Sequence, residues 1–280
     1  MKEKILHGVF AAAACVCISC VVLICLFLFI NGVPAIGKIG PLRFLLGKTW
    51  KPGSGLFGIA PMILGSMYVT AGAVIFGVPL GVLTAVFMAK FCGKKLYKIL
   101  APAVGLLAGI PSIIYGFFGL VVMVPALREL FGGSGKSLLT ASLLLAFMIL
   151  PTIISISETS IRAVPENYYE GALALGATHE EAVFFTVLPA ARQGIMAGVV
   201  LGIGRAIGET MAVIMVAGNQ AMIPHSLFRG LRTLTANIVL EMGYAADLHR
   251  EALISTAVVL FVFILIINIL LSLSKRKTEG

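Results

Sequence analysis

The sequence predicts an all-α polytopic membrane protein with six transmembrane helices. Hydrophobic residues make up 59% of the 280 positions and charged residues only 12%, about half the charged fraction of ordinary soluble domains. The apolar residues also cluster into long runs, and about 20 apolar residues in a helix cross a hydrocarbon core of about 30 Å. So few polar residues cannot cover a water-soluble fold, so the predicted solvent is lipid.

The first span is predicted over residues 9–30. It follows Lys2 and Lys4 in the manner of a signal peptide, but its uncharged run is longer than a signal core of about 7 to 15 residues. No small-x-small cleavage site follows it. We therefore expect an uncleaved first helix and then an ordered or partly helical outer loop, which together form a first unit over residues 1–57.

Five further apolar runs complete the six spans. Their ends are approximate, because a run longer than the bilayer is thick can tilt or kink. These spans form the predicted transmembrane domain, residues 58–274, and cover residues 58–89, 99–126, 137–161, 194–218 and 252–274.

Basic residues set the predicted orientation. The densest basic loop carries Lys90, Lys94, Lys95 and Lys98, and short loops rich in Lys and Arg stay in the cytoplasm. With six spans, this loop lies on the same side as both ends of the chain. Both termini, including a basic tail at 275–280, are therefore predicted to be cytoplasmic. Anchors facing anionic membrane lipid then explain much of the net charge of +9, and no nucleic-acid partner is expected.

Two features that suggest ligands are interpreted as structural. The five cysteines lack the second Cys/His cluster that a zinc site needs, so no metal site is predicted. Residues 132–137, Gly-Gly-Ser-Gly-Lys-Ser, end like a phosphate-binding P-loop, but the required earlier glycine is replaced by Leu130. The chain itself is expected to bind no ATP and no other cofactor.

The longest segment on the predicted cytoplasmic side covers residues 162–193. Its composition favours helix but is interrupted by Gly171 and Gly176, which predicts two short helices joined by a turn near Gly176. A helix lying on the lipid surface would carry Lys or Arg on its polar face. Residues 166–181 instead contain four Glu and no Lys or Arg, which favours an exposed element that docks on a protein.

Two charged residues lie inside the fifth predicted span. Arg205 and Glu209 are four residues apart, which places them on one helix face and allows an ion pair. Charges at membrane depth usually face a protein interior, a polar cavity or a partner subunit. A guanidinium suits the oxygens of an oxyanion, so Arg205, Glu209 and Thr210 are candidate translocation residues. Alternatively, the pair locks helix packing, with Gly204 and Gly208 allowing close approach.

Residues 109–116, Gly-Ile-Pro-Ser-Ile-Ile-Tyr-Gly, lie in the third predicted span. Pro111 removes a backbone donor and can open the helix. Ser112 and Tyr115 then supply hydroxyls to a pathway and are further translocation candidates. The alternative is a packing kink whose hydroxyls bond to the helix itself.

Several of these motifs resemble those of ABC importer permeases. The segment at 170–189 resembles their EAA loop, although Gly171 replaces the first Ala and Thr186 replaces an Ile of that pattern. The residues that fit in register are Glu170, Ala172, Gly176, Leu188 and Pro189. The stretches 109–116 and 204–210 resemble motifs of the phosphate-specific permeases PstC and PstA. Residues 44–62, 211–213 and 218–219 are more like PstC, and the resemblance covers about residues 41–273.

The resemblance implies a type I importer permease of MetI-like fold over residues 58–274, with 162–193 as the cytoplasmic coupling loop. The residues that it assigns to ATPase coupling are Glu170, Gly171, Ala172, Gly176, Leu188 and Pro189. It implies a plasma-membrane permease subunit, not itself an enzyme, of an ATP-driven importer of inorganic phosphate. The implied partners are a PstA-like second permease, a PstB-like ATPase dimer that uses ATP and Mg, and a PstS-like extracytoplasmic phosphate-binding protein.

Two other functions remain open from the residues. Arg205 would equally serve a permease for another oxyanion, such as molybdate or sulfate. An ion-coupled secondary transporter would use an intramembrane acid, such as Glu158 or Glu209, as a proton carrier. The second alternative leaves the acidic cytoplasmic loop without a purpose.

Overall fold

The computed structural model describes residues 2–276, with side-chain surroundings described for 6–269. The side chains of the predicted basic tail at 275–280 lie outside that range. The α-helices in chain order are α1 (Lys2–Ile39), α2 (Pro41–Leu46), α3 (Ala60–Val86), α4 (Lys94–Gly109), α5 (Ser112–Phe118), α6 (Val124–Phe131), α7 (Leu138–Arg162), α8 (Glu166–Ala174), α9 (His179–Ala182), α10 (Leu188–Ala190), α11 (Arg192–Gly208), α12 (Met211–Val216), α13 (Leu234–Glu241) and α14 (Asp247–Arg276).

Three wider, π-helical turns interrupt this pattern within the described residues. Phe87–Phe91 extends α3, Gly119–Met123 joins α5 to α6, and Val183–Val187 joins α9 to α10. The prediction of an all-α membrane protein is confirmed, with one small addition. Strands β1 (Trp50–Lys51) and β2 (Leu56–Phe57) form an antiparallel hairpin in the loop after the first span, with Trp50 opposite Phe57.

Six candidate membrane spans are present in the described residues if one bent pair counts as a single span. That pair, His179–Ala190 and Arg192–Gly208, is bent by 68°. The other candidate spans are Leu6–Ile39, Ala60–Phe91, Ser112–Phe131, Leu138–Arg162 and Asp247–Ile269. The first span is longer than predicted, because the helix continues beyond residue 30 to Ile39.

Helix α7 is the centre of the bundle. It packs against α3, α4 and α11, and its Ile149 and Ile153 are fully buried. Glycines on the neighbouring helices allow this contact, since a Cβ added at Gly81 of α3 or Gly202 of α11 would lie 2.8 or 2.9 Å from Ile153. Small residues at such positions let membrane helices approach closely and gain van der Waals contact.

The two ends of the bundle differ in structure. The segment at 162–193 lies at one end, where α7 finishes. We call the opposite end, where α1 finishes and α3 begins, the outer end. There Phe44, Trp50, Phe57 and Leu253 form a separate buried cluster, which fixes the hairpin onto α14.

Candidate translocation and coupling sites

The third and fifth predicted spans are both broken. Helix α4 ends at Gly109 and α5 starts at Ser112, with extended backbone between them (ψ 125° at Ile110). Helix α11 ends at Gly208, and Glu209 is also extended (ψ 129°) before α12 begins. Helix α5 packs against α12, so the sequence motifs at 109–116 and 204–210 meet in one region of the bundle.

Arg205 and Glu209 do not form the expected ion pair. The i,i+4 prediction requires a continuous helix, but α11 ends one residue before Glu209. The Glu209 carboxylate instead accepts a hydrogen bond from the Ala212 amide at 3.1 Å and so caps α12. Among residues with described side chains, no carboxylate lies within ion-pair distance of Arg205.

The half-buried Arg205 has a partner that the sequence analysis missed. Its Nη1 donates to the hydroxyl of Thr152 in α7 at 3.4 Å. The available signal was a polar residue directly after Pro151, inside an otherwise apolar helix. This single weak contact leaves most of the five guanidinium donors without a protein acceptor in the described residues.

The predicted hydroxyls near the breaks have different surroundings. The hydroxyl of Tyr115, which is buried, donates to the Leu107 carbonyl at 2.8 Å and bridges the break before α5. The Thr210 hydroxyl donates to the Gly208 carbonyl at 3.2 Å. Ser112 is half-buried at the first position of α5. Tyr115 thus bonds to the chain in the way that the packing-kink alternative expects.

The segment at 162–193 folds as the sequence predicts. Helices α8 and α9 are joined by a turn in which Gly176 has φ +92°, a conformation that glycine adopts without a Cβ clash. Thr178 and Glu181 then form a reciprocal capping box at the start of α9. A local turn and a local cap therefore fix the angle between the two short helices.

One face of this element is exposed and the other is anchored. Glu170 and Gly171 are exposed, and Leu175 at the tip is 91% exposed. Ala172 and Leu188 are half-buried, and Gly176 and Pro189 are exposed. On the opposite face, Val183 and Val187 are fully buried, in a cluster with Val86 of α3 and Ile161 of α7.

Polar contacts tie the same element to the basic loop after α3. The ammonium of Lys90 lies 3.5 Å from the Glu166 carboxylate and 5.2 Å from the Tyr169 ring centroid. The hydroxyl of Tyr169 hydrogen-bonds His179 Nδ1 at 2.7 Å. Lys90, predicted as a lipid anchor, is mostly buried in these contacts. Displacement of the exposed tip would therefore be transmitted to α3.

Arg162 makes a second link at this end. Its Nε donates to Glu158 at 2.8 Å, and its Nη2 donates to the Met88 carbonyl at 2.7 Å. The Met88 carbonyl belongs to the π-helical turn that extends α3. The guanidinium also lies 4.5 Å from the Tyr97 ring centroid, so the end of α7 contacts α3 and α4 through one side chain.

A buried polar hub holds the outer end together. We define it as Trp50, Arg232, Glu241 and His249. The Glu241 carboxylate is bonded by Arg232, by Trp50 Nε1 at 2.8 Å and by His249 Nε2 at 2.9 Å. Helix α13, which carries Glu241, is outside the candidate spans. Arg232 therefore faces inward, toward Glu241.

Burial and hydrogen bonding have opposite effects on Glu241. Burial alone would raise the pKa of its carboxyl, but hydrogen bonds from Trp50, Arg232 and His249, together with the Arg232 charge, outweigh burial and lower the pKa below its usual value. Glu241 is therefore an ionised carboxylate at neutral pH. Its hydrogen bonds join the hairpin, α13 and α14.

Comparisons with known proteins agree with this architecture. The profile of the family described as "Binding-protein-dependent transport system inner membrane component" matches residues 77–280. The chain is 39% identical to the probable ABC transporter permease protein YqgH of Bacillus subtilis, over 95% of this chain and 89% of that protein. It is 36% identical to the phosphate transport system permease protein PstC of Mesorhizobium japonicum, over 95% of this chain and 88% of that protein.

Solved structures show the same fold. An inward-facing MetNI methionine ABC transporter matches with TM-score 0.65 and 20% identity, covering 82% of this chain and 99% of that chain. A bacterial alginate ABC transporter matches with TM-score 0.63 and 14% identity, covering 95% and 94%. The MetI-like fold is thereby confirmed. By the family profile and by these relatives, the chain belongs to the binding-protein-dependent inner membrane components, the permeases of ABC importers.

Proposed function

We propose that this chain is the PstC-like permease subunit of an ATP-driven importer of inorganic phosphate, and that phosphate passes beside Arg205. The observation that carries the proposal is the half-buried guanidinium without a carboxylate partner among the described side chains, next to two broken helices. The relatives named as phosphate permeases support this choice of cargo over other oxyanions.

The chemistry of the break region suits an anion. A guanidinium offers planar pairs of donors that match phosphate oxygens. Helix α5 starts after Pro111, and no side chain caps it. Its Ile114 and Tyr115 amides bond to the Pro111 carbonyl, which leaves the Ser112 and Ile113 amides as the backbone donors nearest the break. Half-helices whose amino ends face the substrate are a recurring device for anionic cargo in transporters.

An exposed apolar face beside the breaks supports a second permease. Ile113, Ile114, Phe117 and Phe118 on α5 are each half exposed or more. In the proposed complex, a PstA-like partner covers part of this face and completes the pathway, and lipid covers the remaining apolar surface.

The coupling loop supports a cytoplasmic ATPase as the motor. Leu175 exposes almost its whole side chain at the tip of an acidic turn, whereas the base of the turn is packed against α3 and α7. In our proposal a PstB-like ATPase dimer, which binds the ATP and Mg, holds Glu170, Gly171, Ala172 and Gly176. Both termini then face the cytoplasm, and a PstS-like phosphate-binding protein docks at the outer end.

The test is phosphate uptake by the assembled transporter in proteoliposomes carrying Arg205→Ala. Loss of charge-assisted hydrogen bonds to the passing anion should lower uptake by about tenfold to a hundredfold, with partial recovery in Arg205→Lys. Lys95→Ala, which removes an exposed cation in the first turn of α4, is the matched control and should leave uptake unchanged. Undiminished uptake by a normally assembled Arg205→Ala complex would refute the pathway role, and strong competition by molybdate or sulfate would refute the cargo.

A further inference from the structure

The outer end contains a basic cavity that lies apart from Arg205 and the two helix breaks. The segment from residue 31 to 59 carries Lys38, Arg43, Lys48 and Lys51 and no acidic residue. Short outer loops of membrane proteins usually carry few Lys or Arg, so this cluster needs a local reason. Three of the four cations line a cavity of about 420 Å³ between the end of α1, the hairpin and the start of α14.

The donors in this cavity are mostly unengaged. Lys38 pairs with Glu251 at 2.7 Å. Arg43 and Lys48 have no ion-pair partner among the described side chains, and no acidic residue lines the cavity. The exposed Thr49 adds a hydroxyl. A guanidinium, an ammonium and a hydroxyl around one cavity are the donor set of a phosphate site.

Backbone contacts fix the shape of this cavity. The Gly58 amide donates to the Thr49 carbonyl at 3.0 Å, and the Gly47 amide donates to the Arg43 carbonyl at 3.1 Å. Gly47 and Gly58 are so close that a Cβ on Gly47 would lie 2.8 Å from the Gly58 Cα. Phe44, which is fully buried, holds the same segment onto the bundle. The donors are therefore attached to a rigid frame.

The apolar surroundings indicate an amphiphile. A second cavity, of about 330 Å³, shares Lys38, Ile39 and Arg43 with the first and is lined by Leu42. Leu42 is 73% exposed and Leu46 is 67% exposed on α2. These leucines follow directly after the candidate span Leu6–Ile39, where the chain would leave the membrane. Charged donors beside exposed leucines match an interfacial lipid contact.

We propose that Arg43, Lys48 and Thr49 bind the phosphate group of an anionic phospholipid, with its glycerol and acyl chains over Leu42. A free phosphate ion shares the headgroup chemistry but would not use the leucine-lined cavity. An acidic protein surface would pair with the cations but would not use the exposed leucines of α2. The proposal does not depend on what the protein transports.

The single tryptophan of the chain, Trp50, provides the measurement. Its ring lies 5.8 Å from that of Phe57, which lines the cavity. The full-length chain is reconstituted in two sets of phosphatidylcholine vesicles. One contains a small fraction of nitroxide-labelled phosphatidylglycerol and the other the same fraction of nitroxide-labelled phosphatidylcholine, with the nitroxide near the glycerol in both probes. We expect Trp50 fluorescence to be quenched several-fold more by the phosphatidylglycerol probe.

Charge variants test the site itself. The double variant Arg43→Gln/Lys48→Gln should abolish the preference, so that the two probes quench Trp50 equally. Lys51→Gln makes the same charge change in the same segment, but Lys51 does not line the cavity and its variant should keep the preference. If the double variant loses the wild-type Trp50 emission spectrum, its fold is disturbed, and Lys48→Gln alone is used to test the site. Lys48 is exposed, and this variant should lower the preference about fivefold.

Three outcomes would overturn the proposal. Equal quenching of the wild type by both probes would exclude a lipid preference. An equal loss in Lys51→Gln would indicate diffuse surface charge and no defined site. Release of the phosphatidylglycerol probe by millimolar inorganic phosphate would make the cavity a free-anion site.

Discussion

Replacing Glu241 by Gln should destabilise the outer end strongly. The side chain of Glu241 is 9% exposed and that of Arg232 is 17% exposed, so the substitution leaves a buried cation without its counter-charge. Loss of one partner of a buried ion pair costs about 3–5 kcal/mol. Because Gln keeps one acceptor oxygen for Trp50 and retains the side-chain volume, we expect a loss of about 3 kcal/mol in the free energy of unfolding. A scale of about 2–4 °C per kcal/mol predicts a fall of about 6–12 °C in the midpoint of thermal unfolding.

The assay is thermal unfolding of the purified chain in one detergent, followed by Trp50 fluorescence and by circular dichroism. Glu129→Gln is the matched control, because Glu129 is exposed and has no ion pair among the described side chains. It should shift the midpoint by less than the equivalent of about 0.5 kcal/mol. A Glu241→Gln shift no larger than that of Glu129→Gln would refute the view that the hub is a main tie of the outer end.

Five further outcomes follow from the same structure. Because the pKa of Glu241 is lowered in the folded state, its stabilising effect should be full at pH 7, above the unfolded value, and should be lost as pH falls through the folded pKa. Thermal midpoints measured against pH test this. Gly176→Ala should cost about 1–2 kcal/mol and reduce coupled uptake, since its φ is +92°. Gly171→Ala, in helix with open space around the Cβ position, should instead stabilise by about 0.5–1 kcal/mol in the same melting assay. Tyr115→Phe should cost about 1 kcal/mol by removing the hydrogen bond that bridges the break. Leu175→Ala should leave unfolding unchanged, because the side chain is 91% exposed, but should weaken co-purification of the ATPase.

The coupling element was predictable because its signals are local. A glycine that can adopt positive φ, a Thr that caps the next helix and an acidic composition all lie within residues 166–181. Each acts over one helical turn, so the two helices and the turn between them could be identified without tertiary information. The role of this element in coupling remains a prediction.

The predicted ion pair between Arg205 and Glu209 does not form, and the reason is physical. The i,i+4 rule assumes that one helix carries both residues, but the backbone becomes extended at Glu209. A carboxylate three residues before Ala212 is also a helix-capping pattern, and this was the signal that could have located the break. Arg205 has no carboxylate partner among the described side chains, which supports the oxyanion role over a packing pair.

The outer hub and the basic cavity could not be found from the sequence. Trp50 and Glu241 are 191 positions apart, and no local pattern in either segment refers to the other. The hairpin in an otherwise helical chain has only two residues per strand, which is too short for an alternating pattern. Such features depend on tertiary packing and become visible only in three dimensions.

The same sequence separation sets an order of assembly during synthesis. The hairpin carrying Trp50 cannot dock until Glu241 and His249 have left the ribosome. At about 5–20 residues per second this delay is roughly 10–40 s. During that interval Phe44, Trp50 and Phe57, which are buried in the finished protein, remain uncovered. We therefore expect the first outer loop to be open to membrane chaperones and proteases while the chain is incomplete.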